Sequence, residues 1–199
     1  MLPTMEKPVP TDLPLHELLR RRYSPRALSD RTVTDQELRV LFEAARWSAS
    51  CNNEQPWRFI VASRANRTSF DRMNSVLLPG NQAWASHAAV LVLGVASMQF
   101  SRNGKDNLHA FYDLGQAVAN LTVQATSMDL FVHQMAGYDR DKARELYNIP
   151  DGFEPAVAFA IGYLGDPDAL PEKLREREHL PRTRKPLDEI VFADEWPAS

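Results

Sequence analysis

Two apolar runs, 88–96 (AAVLVLGVA) and 156–164 (AVAFAIGYL), limit the folds open to this chain more than any other feature. The first is rich in valine and leucine, and neither is interrupted by a charged residue. A strand of that kind needs cover on both faces. Each is therefore expected to be a central strand of a sheet with helices packed on either side. At 199 residues the chain is long enough to bury such a core within one domain, 1–199.

The covering helices are legible. Thr34-Asp35-Gln36-Glu37 fits a capping box, and Leu38, Leu41, Phe42 and Ala45 follow at helical spacing. Leu15, Leu18 and Leu19 mark a shorter helix, with Asp12 as its expected N-cap and Pro25 as its stop. Residues 64–77 read as an amphipathic helix, 139–147 as a short, charged helix, and 108–132 as the longest helix, its Asp129 included. WRFIVA, 57–62, reads as a strand. Pro79-Gly80-Asn81 reads as a break that leaves Trp84 and His87 in a turn, and Gly137 as a left-handed stop. Residues 97–107 are expected to form an exposed loop and 1–11 an irregular lead-in. The segment 166–199 reads as an extended arm. Its Leu187, Ile190, Val191, Phe192 and Trp196 form a patch too large to leave in water, so the arm is expected to dock on the body or on a partner subunit.

Charge and cysteine content narrow the function. A net charge of −3 gives no reason to expect nucleic acid or an anionic membrane as partner. One cysteine excludes an internal disulfide and a cysteine-based metal cluster. No run approaches the ~20 apolar residues of a membrane span, and the start carries no signal-like apolar core, so a cytoplasmic protein is expected. The motifs of serine hydrolases, P-loop nucleotide binders, zinc proteases and dinucleotide folds are absent. The five histidines lack metal-ligand spacing and read as surface or lightly packed residues. Cys51 reads better as a small packed thiol than as a nucleophile. If the chain is an enzyme, a cofactor is expected to carry its chemistry.

Three features point to a ligand. Arg22, Ser24 and Arg26 alternate, so in an extended segment they share one face; they read either as solvated surface or as a phosphate site. Arg175, Arg177, Arg182, Arg184 and Lys185 form a second basic cluster. The polar stretch from Ser48 to Gln55 joins a helix to a strand, either as an ordinary turn or as one wall of a site. Together with Asn81 and the Gly137 turn, it would offer the mixed donors and acceptors that the edge of a flat heterocycle needs.

These residues carry a family likeness. Arg22-Tyr23-Ser24-Pro25-Arg26 is similar to the basic segment that holds the flavin phosphate in FMN-dependent nitroreductases, and 49–57 (ASCNNEQPW) resembles that family's P-S-x-x-N-x-Q-P-W pattern. Arg182 and Arg184 with Lys185 resemble its late basic pair, Gly80-Asn81 with Trp84 its turn facing the flavin, and 134–137 the segment beside flavin N5. Ala49 replaces the usual proline, Asp129 stands where glycine is common, and Tyr23 occupies a variable position. The resemblance implies an α+β fold with a central, mostly antiparallel sheet flanked by helices, in an intertwined homodimer with the extended C-terminal arm. It implies FMN held by Arg22, Tyr23, Ser24, Arg26, Asn81, Gln134, Met135, Ala136, Gly137, Arg182 and Arg184, with Ser50, Cys51 and Asn53 supplied by the other subunit. It implies ping-pong transfer of hydride from NAD(P)H through flavin N5 to a small oxidised acceptor, a nitroaromatic or quinone. A specialised relative performing reductive dehalogenation, or a flavin-binding module without efficient turnover, stands as the alternative.

Overall fold

The structure, a computed structural model, describes residue 7 and residues 9–197. Most of the expected lead-in, 1–6 and 8, lies outside the described residues. The two apolar runs form β2 (Val90–Ser97) and β4 (Phe153–Tyr163), which pair with each other antiparallel at the centre of a four-stranded sheet. β1 (Trp57–Ser63) flanks β2, and β3 (Leu130–Met135) flanks β4, giving the order β1-β2-β4-β3 with every pair antiparallel.

Both faces of the sheet are covered, as the unbroken apolar strands require. On one face lie α2 (Asp35–Arg46) and α5 (Ala110–Ser127), meeting Val92, Phe159 and Ile161 with Leu41, Leu114 and Leu121. On the other lie α3 (Arg67–Asn74), α4 (Pro79–Ala85) and α6 (Arg140–Tyr147), where Phe70, Met73, Trp84 and Ala143 meet Leu91, Leu93, Ala158 and Ala160. The capping box at the start of α2 forms as expected: Thr34 Oγ1 accepts from Glu37 N at 3.2 Å, and Glu37 Oε2 accepts from Thr34 N at 2.7 Å.

Several local expectations are corrected. The first helix, α1, is short (Glu17–Arg21) and is capped by His16 rather than Asp12. Arg20 folds back to donate to the carbonyls of Leu13 and Leu15, which ties that stretch to the helix. Pro79 starts a helix instead of ending one; its fixed φ and missing N–H suit the first helical position, and Trp84 lies within that helix. Gly137 is not left-handed. The largest change concerns 108–132. The helix stops at Ser127, Asp129 turns the chain in the left-handed region (φ 56°), and residues 130–135 cross to β4 as an edge strand. An apolar run such as Leu130-Phe131-Val132 suits a buried helix and a buried strand equally well, so periodicity could not separate them. The left-handed turn is also the reason a glycine would serve at position 129.

The C-terminal segment begins by packing on its own chain. Leu170 and Leu174 join the cluster around Trp84, and α7 (Glu172–His179) places Glu178 in the interior. From Leu187 onward the apolar side chains are exposed, Trp196 at 82%. No helix among the described residues is long and apolar enough to cross a membrane.

Candidate functional site

The outer edge of β3 is where the separated motifs meet. After α1 the chain runs extended past this edge with strict alternation: Tyr23, Pro25 and Ala27 are buried, while Arg22, Ser24 and Arg26 face outward. Tyr23 packs edge-on to Phe131 of β3, ring centroids 5.2 Å apart, and burial raises its phenol pKa. Its side chain therefore anchors the segment, and the Lys7 ammonium lies 5.5 Å from its ring centroid. Arg22 Nη1 lies 3.4 Å from Ser24 Oγ, so the two form one polar surface.

The C-terminal basic pair joins this surface within the same chain. Arg182 Nη1 donates to the carbonyl of Arg20 at 2.6 Å and to that of Lys7 at 3.2 Å. Burial pushes the Arg22 guanidinium below its usual pKa, and the charges of Arg182 and Arg184 push it further. Burial and Arg184 do the same to Arg182. Among the described residues, none of these three guanidiniums forms an ion pair with a carboxylate. Arg26 differs, because its Nη1 lies 3.9 Å from Glu178 Oε2. Arg22 and Arg182 are thus partly desolvated cations crowded by the exposed Arg184, without a carboxylate partner among the described residues, an arrangement suited to an anion.

At the far end of β3 a second set of contacts forms. Asn81 Nδ2 donates to the Gly137 carbonyl at 2.9 Å, and Trp84 Nε1 donates to Asn81 Oδ1 at 3.3 Å. A Cβ on Gly137 would fall 2.7 Å from Asn81 Nδ2, so a larger residue there would displace the Asn81 amide from this contact. Met135 is buried, whereas Gln134 and Ala136 are exposed. His133, between the two sets, is a packed residue rather than a surface one. Its ring lies 4.4 Å from the Trp84 ring, and its Nδ1 meets the Pro25 carbonyl at 3.0 Å. A carbonyl can only accept, so Nδ1 carries the proton. Burial lowers this imidazole to about 4, and the ring is neutral at ordinary pH. A continuous series of contacts thus runs from Pro25 through His133, Trp84 and Asn81 to Gly137.

The polar stretch after α2 sits elsewhere. Ser50, Cys51 and Asn53 precede β1, which is the opposite edge of the sheet from β3. Three strand spacings, about 14 Å, separate these edges. The chain therefore does not bring Ser50, Cys51 and Asn53 to its own Arg22 or Gly137. The stretch is nevertheless built with care. Asn52, Asn53 and Gln55 all have left-handed φ (53°, 56° and 53°), Cys51 N donates to the buried Asp113 at 3.0 Å, and Gln55 N donates to Ser50 Oγ at 3.0 Å. Left-handed non-glycine residues persist where surrounding contacts hold them, as Asp113 does here. An open cleft of about 230 Å³, lined by Phe111, Gly115, Gln134 and Arg140, lies between α5 and the end of β3.

Residues 19–163 match the nitroreductase family. The chain belongs to that family. Among similar proteins, an uncharacterized 15.4 kDa protein of Mycolicibacterium smegmatis is 34% identical over 148 residues, spanning 70% of this chain and 97% of that one. The major NAD(P)H-flavin oxidoreductase of Aliivibrio fischeri is 25% identical over 224 residues, spanning 89% and 96%. The crystal structure of an oxidoreductase containing FMN superposes with a TM-score of 0.89 at 32% identity, covering 95% of this chain and 96% of that one.

For this nitroreductase, sequence reasoning missed residues that the structure makes central. His133 stood in the segment assigned to a helix end. Asp113 sat inside the long helix with no local sign of its role. Glu178 lay within the charged segment 166–199, which reads as an extended arm with little core of its own. No local signal distinguishes any of these, because each acts on a group far away in sequence.

Proposed function

We propose that the protein is an FMN-dependent NAD(P)H oxidoreductase whose flavin phosphate sits on Arg22, Ser24, Arg182 and Arg184. The observation that carries this reading is the set of three crowded guanidiniums without a carboxylate partner among the described residues. A phosphate dianion supplies the missing charge and accepts from their forked donors. Asn81 and the Gly137 turn suit the edge of the flavin ring, since an amide side chain and main-chain groups offer both donors and acceptors there. FMN held there would supply two-electron redox chemistry between NAD(P)H and a small oxidised acceptor such as a nitroaromatic or quinone, in alternating half-reactions.

The chain's own residues position and enclose. Tyr23 and His133 fix the basic segment against β3. Asn81 and Trp84 fix the Gly137 carbonyl.

A second copy of the chain completes the site in this reading. Ser50, Cys51 and Asn53 lie at the β1 end of the sheet, about 14 Å across the strands from the β3 edge. They project from an end of the molecule that also exposes Trp47 (74%), Leu108 (89%), Phe111 and Tyr112. That apolar surface and the exposed arm from Leu187 to Trp196 are the surfaces a homodimer would cover.

The test is an anaerobic titration. The purified protein is expected to be yellow, to bleach with NADH or NADPH, and to recover colour with a nitroaromatic or quinone. A colourless protein that FMN does not reconstitute refutes the reading, and a yellow one that neither nucleotide bleaches leaves only flavin binding. Arg22→Ala and Arg184→Ala are each expected to weaken FMN retention by about tenfold or more; unchanged retention in both refutes the phosphate site.

A further inference from the structure

We infer that Glu178 is a positioning residue that latches the C-terminal segment to the Arg22–Arg26 segment and so gives the site its selectivity for a phosphorylated flavin over an unphosphorylated one. This inference rests on the FMN reading above.

Glu178 is 1% exposed, on a helix whose other residues are half-buried or open to water. A buried carboxylate is costly and persists where it is well paired. Here both oxygens accept from the main-chain N–H of Arg26, at 3.2 and 3.1 Å, and Arg26 Nη1 lies 3.9 Å away. Bonding to a main-chain group fixes the path of the segment itself, which a bond to a flexible side chain would not do. The same segment presents Arg22 and Ser24.

On its own side, Glu178 precedes Arg182 and Arg184 by about one to two helical turns' worth of chain. The tie is reinforced nearby: Arg182 donates to the carbonyls of Arg20 and Lys7, and Lys7 Nζ reaches the Leu180 carbonyl at 3.5 Å. Glu178 also lies among cations. It opposes the effects of burial, Arg26 and Arg182 on the Lys7 ammonium. It thereby offsets Arg26 and Lys7, and Arg22, Arg182 and Arg184 remain as the set without a counter-charge. Without this carboxylate, five cations from two chain ends would face one another, and their repulsion would drive the C-terminal segment away.

The consequence is specific to the phosphate end of the ligand. Asn81 and Gly137 are held by contacts that do not involve Glu178. Losing the latch is therefore expected to weaken FMN and spare riboflavin, the same ring without the phosphate. A residue that merely supported the fold would affect both.

The experiment measures FMN and riboflavin affinity by quenching of flavin fluorescence, using full-length protein stripped of flavin. The wild type is expected to prefer FMN. Glu178→Ala and Glu178→Asp, which removes the reach but keeps the charge, are expected to lower the FMN:riboflavin affinity ratio by about tenfold. Glu178→Gln, which still reaches Arg26 N but carries no charge, is expected to lower the ratio by less than Glu178→Ala does. If Glu178→Ala does not fold, Glu178→Asp decides. A wild-type ratio in the folded Ala or Asp variant overturns the latch while leaving the phosphate site intact. A wild type that binds riboflavin as tightly as FMN overturns both.

Discussion

Acid should destabilise this protein through His133 in a way that one substitution isolates. Burial against Trp84 lowers the imidazole to about 4; Arg26 adds to that effect, and the hydrogen bonds to Pro25 and Ser24 oppose it. An unfolded histidine titrates near 6.5, so as pH falls the unfolded chain takes up the proton first. The contribution is therefore complete above about pH 6.5, declines as pH falls, and is gone below about pH 4. At about 1.4 kcal/mol per pH unit the whole window amounts to about 3 kcal/mol, of which about 2 kcal/mol is lost by about pH 5. Urea unfolding of flavin-free protein at about pH 7.5 and pH 5 measures this directly. His133→Gln keeps an amide donor for the Pro25 carbonyl but does not titrate. Carboxylates such as Glu37, held below its usual range chiefly by the Tyr163 hydroxyl, titrate in both proteins and cancel in the comparison. The wild type is expected to lose about 2 kcal/mol more than His133→Gln between the two pH values. Equal losses in both proteins would refute the neutral, buried imidazole.

Other tests address the remaining structural claims. Gly165→Ala would place a Cβ 2.6 Å from the Leu28 carbonyl carbon and 2.8 Å from Ser29 N, main-chain atoms that cannot rotate away. It should cost about 2–3 kcal/mol and lower Tm by about 5–10 °C in a scanning calorimeter; an unchanged Tm contradicts the close approach. Asp113→Ala removes the acceptor for Cys51 N, so the left-handed 52–55 turn should loosen and Cys51 should react with an aromatic disulfide reagent several-fold (about fivefold) faster. Asp113→Asn keeps an acceptor and should react like wild type. Truncation after Pro186 removes the exposed apolar arm and is expected to shift the light-scattering mass from dimer toward monomer; a monomeric full-length protein would refute the two-chain site.

How much of this was legible depends on the range of the interaction concerned. The sequence by itself determined the central strands, because an apolar run without polar alternation has no stable place except between two layers. It determined the start of α2, since a capping box is written in four consecutive residues. It determined that Arg22, Ser24 and Arg26 share a face, since alternation is a property of any extended segment. Tertiary structure decided the rest. Only packing could choose between helix and strand for 130–135, where the unpaired edge of β4 captures an apolar run that has no preference of its own. Only the docked α7 turned Glu178 from one charge in the arm into a buried partner of Arg26. His133 likewise became part of the site through Pro25 and Trp84, neighbours more than forty positions away in the chain. The guanidinium cluster stands between these cases. Its two halves were visible as separate basic segments, but their convergence required the fold, because a charge run does not encode which distant segment it will meet.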